Sequence, residues 1–151
     1  SKGTINLHGS LLPQYRGAAP INHVIINGEK ETGVTTFFLK QEIDTGDIIF
    51  TDSVAITETE TAGTLHDKLM VVGANLLVKT VKAIESHDYN EVPQPESDDL
   101  KSAPKIFKDF CKVDWNQNNQ KVYNHIRGLS PYPTAFTKLN EKTIKIFSPS
   151  A

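Results

Sequence analysis

Between residues 87 and 104 the chain carries three prolines (Pro93, Pro95 and Pro104), several acids and few large apolar groups. Proline lacks the backbone donor that a helix interior or a central strand requires, so no regular element runs across this stretch. Whatever the chain folds into is therefore divided into a longer first part and a shorter second part, and the stretch reads as a linker. The charges divide at nearly the same place. Residues 1–100 carry 7 Lys and Arg against 15 Asp and Glu, whereas residues 101–151 carry 9 against 3. Such asymmetry points to two modules, the second a candidate for binding polyanions. A solvated surface of uneven charge gives the same count.

The first part reads as alternating strand and helix. Thr4 to His8 is a short buried strand running into Gly9. Pro20 is placed as the first residue of a helix that Asn27-Gly28 ends. Residues 33–39 and 47–56, rich in β-branched and aromatic side chains, read as two strands around the turn Asp44-Thr45-Gly46-Asp47. Thr64 and Asp67 resemble a capping box, and Leu65, Leu69, Val72, Leu76, Leu77, Val81 and Ile84 form the apolar stripe of a helix reaching about Glu85. In the second part, residues 117–127 read as a helix stopped by Gly128, followed by strands at 135–139 and 143–147. These boundaries divide the chain into residues 1–92, a linker at 93–112, and residues 113–151. The chain opens on a buried strand and closes two strands into its second module, which predicts that neither module is complete within it.

Several classes of protein fall away. No apolar run approaches the roughly 18 residues of a membrane helix, and no basic segment followed by an apolar one marks a secretory signal. A lone cysteine, Cys111, excludes an internal disulfide framework and accords with a cytoplasmic location. His8, His23 and His66 match no metal-ligand spacing, so no metal is expected.

Asn6 and His8 lie two apart on a strand, so their side chains share a face at its C-terminal end. An amide beside an imidazole can donate to a developing oxyanion, and the imidazole can move a proton. Taken alone, the pair does not separate a catalytic from a structural histidine. Ser10 lacks the second glycine of a nucleophile elbow, which argues against a serine hydrolase. Asp44 is either a turn aspartate bonded to its own backbone or a carboxylate that pairs with an imidazole and favours its charged form.

Two runs bring a family into view: Asn6-Leu7-His8-Gly9-Ser10-Leu11-Leu12-Pro13, and Tyr15-Arg16-Gly17-Ala18-Ala19-Pro20-Ile21. With Glu31 to Thr35, Asp44-Thr45-Gly46-Asp47, Asp114-Trp115, Ile126-Arg127-Gly128 and Pro131 to Phe136, the chain resembles the 10-formyltetrahydrofolate-dependent formyltransferases. Arg16 to Pro20 and the Asp-Thr-Gly-Asp turn are closer to the members that act on methionyl-tRNA than to those acting on glycinamide ribonucleotide.

The resemblance implies an α/β fold. It would be the C-terminal half of a Rossmann-like formyltransferase domain with a parallel sheet, followed by the start of an OB-like β-barrel. It implies catalytic roles for Asn6, His8 and Asp44, and a folate-contacting loop at Ser10, Leu11, Leu12 and Pro13. The co-substrate would be 10-formyltetrahydrofolate, the acceptor methionyl-initiator tRNA, and the full-length protein a monomer with no membrane partner. Arg16, Lys105, Lys108, Lys112, Lys121 and Arg127 are the candidate RNA contacts. A helical segment at 101–112 would present Lys101, Lys105, Lys108 and Lys112 as one stripe. A formyltransferase for a nucleotide-linked amino sugar, and a non-catalytic folate- or RNA-binding module, remain as alternatives.

Overall fold

The computed structural model describes residues 3–147. Strand β1 (Ile5–His8) leads into a loop holding the two-residue strand β2 (Arg16–Gly17) and then helix α1 (Pro20–Ile26). Pro20 opens α1, where its missing N–H costs nothing. Strands β3 (Glu31–Phe38) and β4 (Ile48–Ala55) precede the long helix α2 (Ala62–Ser86). Strand β5 (Ser102–Ala103), a 3-10 turn at Lys108–Cys111, helix α3 (Asn119–Gly128) and the hairpin β6 (Ala135–Leu139) and β7 (Lys142–Ile146) complete the order. Among the described residues no helix is long and apolar enough to cross a membrane.

β3 is the central strand, and Thr32 to Phe37 are buried along it. Its alternation defines two faces. Leu7 and Val34 lie against Gly73 of α2, and the Thr36 hydroxyl sits 2.9 Å from that of Thr80. Asn6, opposite Phe37, and His8, opposite Thr35, face away from α2. The α/β class holds, but β1, β3 and β4 pair antiparallel throughout, where a Rossmann-like half implies parallel neighbours. In the second module β6 and β7 form a two-stranded hairpin, and the described residues close no barrel.

Helix α2 corrects two readings. Its N-cap is Thr61, whose hydroxyl accepts from the Thr64 N–H at 3.2 Å while the Thr64 hydroxyl accepts from the Thr61 N–H at 2.9 Å. The capping box is thus Thr61 with Thr64, not Thr64 with Asp67. The buried face runs through Ala62, Leu65, Leu69, Gly73, Leu76 and Thr80. Leu77 and Val81 are exposed, because Gly73 admits Leu7 and Thr80 bonds to Thr36 and to the Leu76 carbonyl. A period read only from large apolar residues drifts off that face.

The stretch from 87 to 104 is free of helix, as its prolines require, yet it does not hang loose. Val92 exchanges two backbone hydrogen bonds with Ile48, and β5 pairs in parallel with β2. The Tyr15 N–H donates to the Lys101 carbonyl at 2.6 Å and the Ala19 N–H to that of Ala103 at 3.1 Å. This strap is extended up to the short 3-10 turn, so no α-helix runs across 101–112 and the four lysines do not make one stripe.

The second module has its own core of Cys111, Val113, Ile126, Leu129 and Ala135. It is nonetheless tied to the first. Asn22 donates from its side chain to the Gly128 carbonyl at 2.8 Å, and the Gly63 N–H donates to the Ser130 carbonyl at 3.0 Å.

Candidate functional site

His8, at the end of β1, and Asp44, in the loop between β3 and β4, meet in the fold. Nδ1 of the imidazole lies 3.6 Å from Oδ2 of the carboxylate, and both side chains are largely removed from solvent. The other ring nitrogen, Nε2, faces the Tyr15 carbonyl at 2.9 Å. Both atoms facing the ring are acceptors. The Tyr15 carbonyl is at hydrogen-bonding distance, whereas the carboxylate at 3.6 Å makes an ion-pair contact. Asn6, two residues earlier on the same face, is half-buried, and its amide has no hydrogen-bond partner among the described residues.

The surroundings of Asp44 are built from three places in the chain. Asp44 adopts a left-handed backbone, φ 55°. Its Oδ2 accepts from the Gly17 N–H at 3.0 Å. Gly17 has φ 126°, and a Cβ there would come within 2.4 Å of the Ala103 carbonyl oxygen, so only glycine lets β2 pair with β5 while offering its N–H to Asp44. A Cβ at Gly46 would collide with the Phe38 carbonyl, so the turn lies flat on the end of β3. From the strap, the Gln94 amide donates to the carbonyls of Asp44 and Gly46, each at 2.8 Å. Sequence reasoning missed Gln94 and Gly17 as partners, since both act on backbone or through backbone.

The loop 10–13 is fixed by Thr35, whose hydroxyl donates to the Ser10 carbonyl at 2.7 Å and accepts from the Leu12 N–H at 3.1 Å. Ser10 and Leu12 are buried, and the Ser10 hydroxyl is spent on the Gln14 carbonyl at 2.6 Å. Their side chains shape the loop, while Leu11 and Pro13 remain partly exposed. Tyr15, also left-handed at φ 61°, is anchored through its hydroxyl to Glu29, which in turn binds Lys101. Burial and the Glu29 carboxylate push the Tyr15 phenol above its usual range. Burial would raise the Glu29 pKa, but bonds from Lys101 and Tyr15 outweigh it and hold the carboxyl below its ordinary value.

The basic candidates separate. Arg127 is buried, and its guanidinium donates to the carbonyls of Thr57 and Glu60 and to Asn124. It ties α3 to the first module and borders the groove of Lys112 and Lys121 with only 3% of its surface exposed, so its first role is structural rather than the RNA contact expected of it. Arg16 is half-buried with Nε and Nη2 committed to Gln94. Lys105, Lys108, Lys112 and Lys121 are exposed. Lys112 and Lys121 share a groove of about 700 Å³ with Lys30, whereas Lys108 borders a different cavity with Lys145. Lys105 lies 5.6 Å over the Phe107 ring.

Comparison with known proteins gives the family. Residues 1–81 match the formyl transferase family model and residues 105–151 the formyl transferase C-terminal domain. A methionyl-tRNA formyltransferase of Azobacteroides pseudotrichonymphae is 59% identical over 143 residues, covering 92% of this chain and 44% of the relative. That of Flavobacterium johnsoniae is 50% identical over 149 residues, covering 96% and 47%. The chain thus spans under half the length of these two relatives. Among solved structures, the N-formyltransferase of Helicobacter canadensis, in complex with folinic acid and dTDP-3-aminofucose, superposes with a TM-score of 0.79 at 26% identity over 93% of this chain and 53% of that one. With more than half its residues matched by the family model, the chain belongs to the formyl transferase family.

Proposed function

We propose that the protein transfers a formyl group from 10-formyltetrahydrofolate to the α-amino group of methionyl-initiator tRNA. The observation that carries this reading is the identity of 50–59% to relatives named methionyl-tRNA formyltransferase. The His8–Asp44 pair, with the Asn6 side chain two residues earlier on the same strand face, supports the chemistry. A Rossmann-like first module and an OB-like barrel in the second are the finer fold that goes with it.

The folate supplies an activated formyl group, so the protein's part is position and electrostatics. The carbon–nitrogen bond to the amine forms, the bond to N10 breaks, and one proton passes from the amine to N10. The Asn6 amide, without a hydrogen-bond partner among the described residues, would donate to the oxygen that gains charge during attack. His8 is held between the Tyr15 carbonyl and the Asp44 carboxylate, beside that oxygen. To donate to it directly, the ring would have to release the Tyr15 carbonyl. Asp44 keeps the ring oriented and would relay the proton from the amine toward N10. Leu11, Pro13 and the backbone of residues 10–13 would meet the folate, with Ser10 and Leu12 holding the loop's shape from beneath.

A second reading, an amino sugar on a nucleotide as acceptor, is favoured by the Helicobacter neighbour. Its 26% identity is well below that of the tRNA-acting relatives. Competing acceptors test the two. The full-length protein, given 10-formyltetrahydrofolate with methionyl-initiator tRNA or with dTDP-3-aminofucose, formylates the tRNA. Transfer to the sugar alone overturns the assignment.

A further inference from the structure

We propose that Gln94 is a positioning residue for formyl transfer, holding the turn that carries Asp44 so that the carboxylate stays at His8. The proposal rests on the catalytic reading of Asn6, His8 and Asp44 given above. Gln94 sits in the strap, far along the chain from the turn it supports. Its amide nitrogen donates to the Asp44 and Gly46 carbonyls, each at 2.8 Å. Its amide oxygen accepts from Arg16 Nε at 3.0 Å and Nη2 at 2.6 Å. Both donors and both lone pairs of the side chain are used, an inventory no other side chain of this length reproduces.

The turn needs such a clamp. Asp44 holds a left-handed backbone, a region that aspartate enters more readily than most side chains but that an added hydrogen bond to its carbonyl still fixes. The carboxylate is fixed at one oxygen by the Gly17 N–H, and Gly17 belongs to the same short strand as Arg16. Gln94 therefore ties the backbone of the turn to the strand that holds its carboxylate. The His8–Asp44 contact stands at 3.6 Å, beyond hydrogen-bond distance, so the placement of the turn decides whether the carboxylate comes closer or draws away. Arg16, a sequence candidate for RNA, orients this clamp through the two donors it gives to Gln94.

Gln94→Glu is the informative substitution. It keeps the length of the side chain and the Arg16 pairing but turns two donors into an oxygen facing two carbonyls. In the full-length protein, kcat falls about 10- to 100-fold, the cost of a displacement on the order of 1 Å in a positioned site. KM for the folate stays within about twofold, because the interaction lost is one that matters in the transition state. On an Asp44→Asn background the same substitution costs little further, since a carboxylate already neutralised has no position left to lose. Wild-type kcat in Gln94→Glu overturns the proposal, as does an equal loss on both backgrounds. An active Asp44→Asn overturns the catalytic reading itself, whereas an inactive Asp44→Asn beside an active Gln94→Glu overturns only the role of Gln94. Gln94→Met, of similar length without polar atoms, repeats the test should the glutamate variant fail to fold. Failure of both to fold, read by circular dichroism, makes Gln94 a stability residue and overturns the proposal.

Discussion

Asp44 reaches His8 only because a left-handed residue in a glycine-containing turn is stacked on the end of β3. Asp44→Asn in the full-length protein keeps the size of the side chain and removes its charge. Turnover is expected to fall by about two orders of magnitude or more with little change in folate KM, the pattern of a lost transition-state interaction. Steady-state kinetics with both substrates checks it, and more than a tenth of wild-type turnover contradicts it. Asn6 and His8 were legible from the period of two along a strand. Asp44 was legible as a turn residue, and only the family resemblance joined it to His8. The partners that hold the site, the Tyr15 carbonyl, the Gly17 N–H and Gln94, leave little mark on a sequence, because any residue supplies a carbonyl and nothing in a proline-rich stretch announces that it folds back. Glu29 gives a pH test at the same scale. Its folded pKa lies below the unfolded value, so its stabilising bonds to Tyr15 and Lys101 are fully present above roughly pH 4.3 and are lost as pH falls through the depressed folded value. Wild type is therefore expected to melt higher than Glu29→Gln at pH 7 and to converge with it in acid. A gap in Tm that persists in acid would show that the carboxylate's charge is not what stabilises.

At the scale of elements, the sequence marks strands well where β-branched and aromatic residues cluster, as in β3, and helices where large apolar residues keep the period, as in the first half of α2. It misleads where small or polar residues take the buried positions. Gly73 and Thr80 occupy the inward face of α2, and the apolar pattern slides to Leu77 and Val81 on the outside. The cap moved for a related reason, since two threonines satisfy each other as well as the Thr-x-x-Asp pattern that lies one turn further on. Thr61→Ala is expected to destabilise the protein by about 1 kcal/mol, with Asp67→Ala near neutral. Urea unfolding of the two variants decides between the boxes, and the reverse order would restore Thr64 as the cap. The lysine pattern at 101–112 failed as a helix because Pro104 interrupts it and the carbonyls of Lys101 and Ala103 are taken by the loop before α1.

Across the whole molecule, two cores are joined by α3 lying against α1, with Arg127 as a buried tie, so the boundary in charge is not a gap in the structure. The basic surface that remains is distributed, and one groove brings Lys30, Lys112 and Lys121 together, with Asp114 on its lining. Neutralising Lys112 and Lys121 together is expected to weaken initiator and elongator tRNA alike. The slope of log affinity against log salt should flatten by about 1.4–1.8, at 0.7–0.9 per phosphate contact. An unchanged slope would make the charge asymmetry a solvated surface only. The reading of the molecule as a methionyl-tRNA formyltransferase is tested most directly by following release of tetrahydrofolate from 10-formyltetrahydrofolate by the full-length protein, with and without charged initiator tRNA. Release that requires the aminoacylated tRNA, and that ends when its α-amines are formylated, is the predicted result. Release at the same rate without tRNA, or none in its presence, would contradict it.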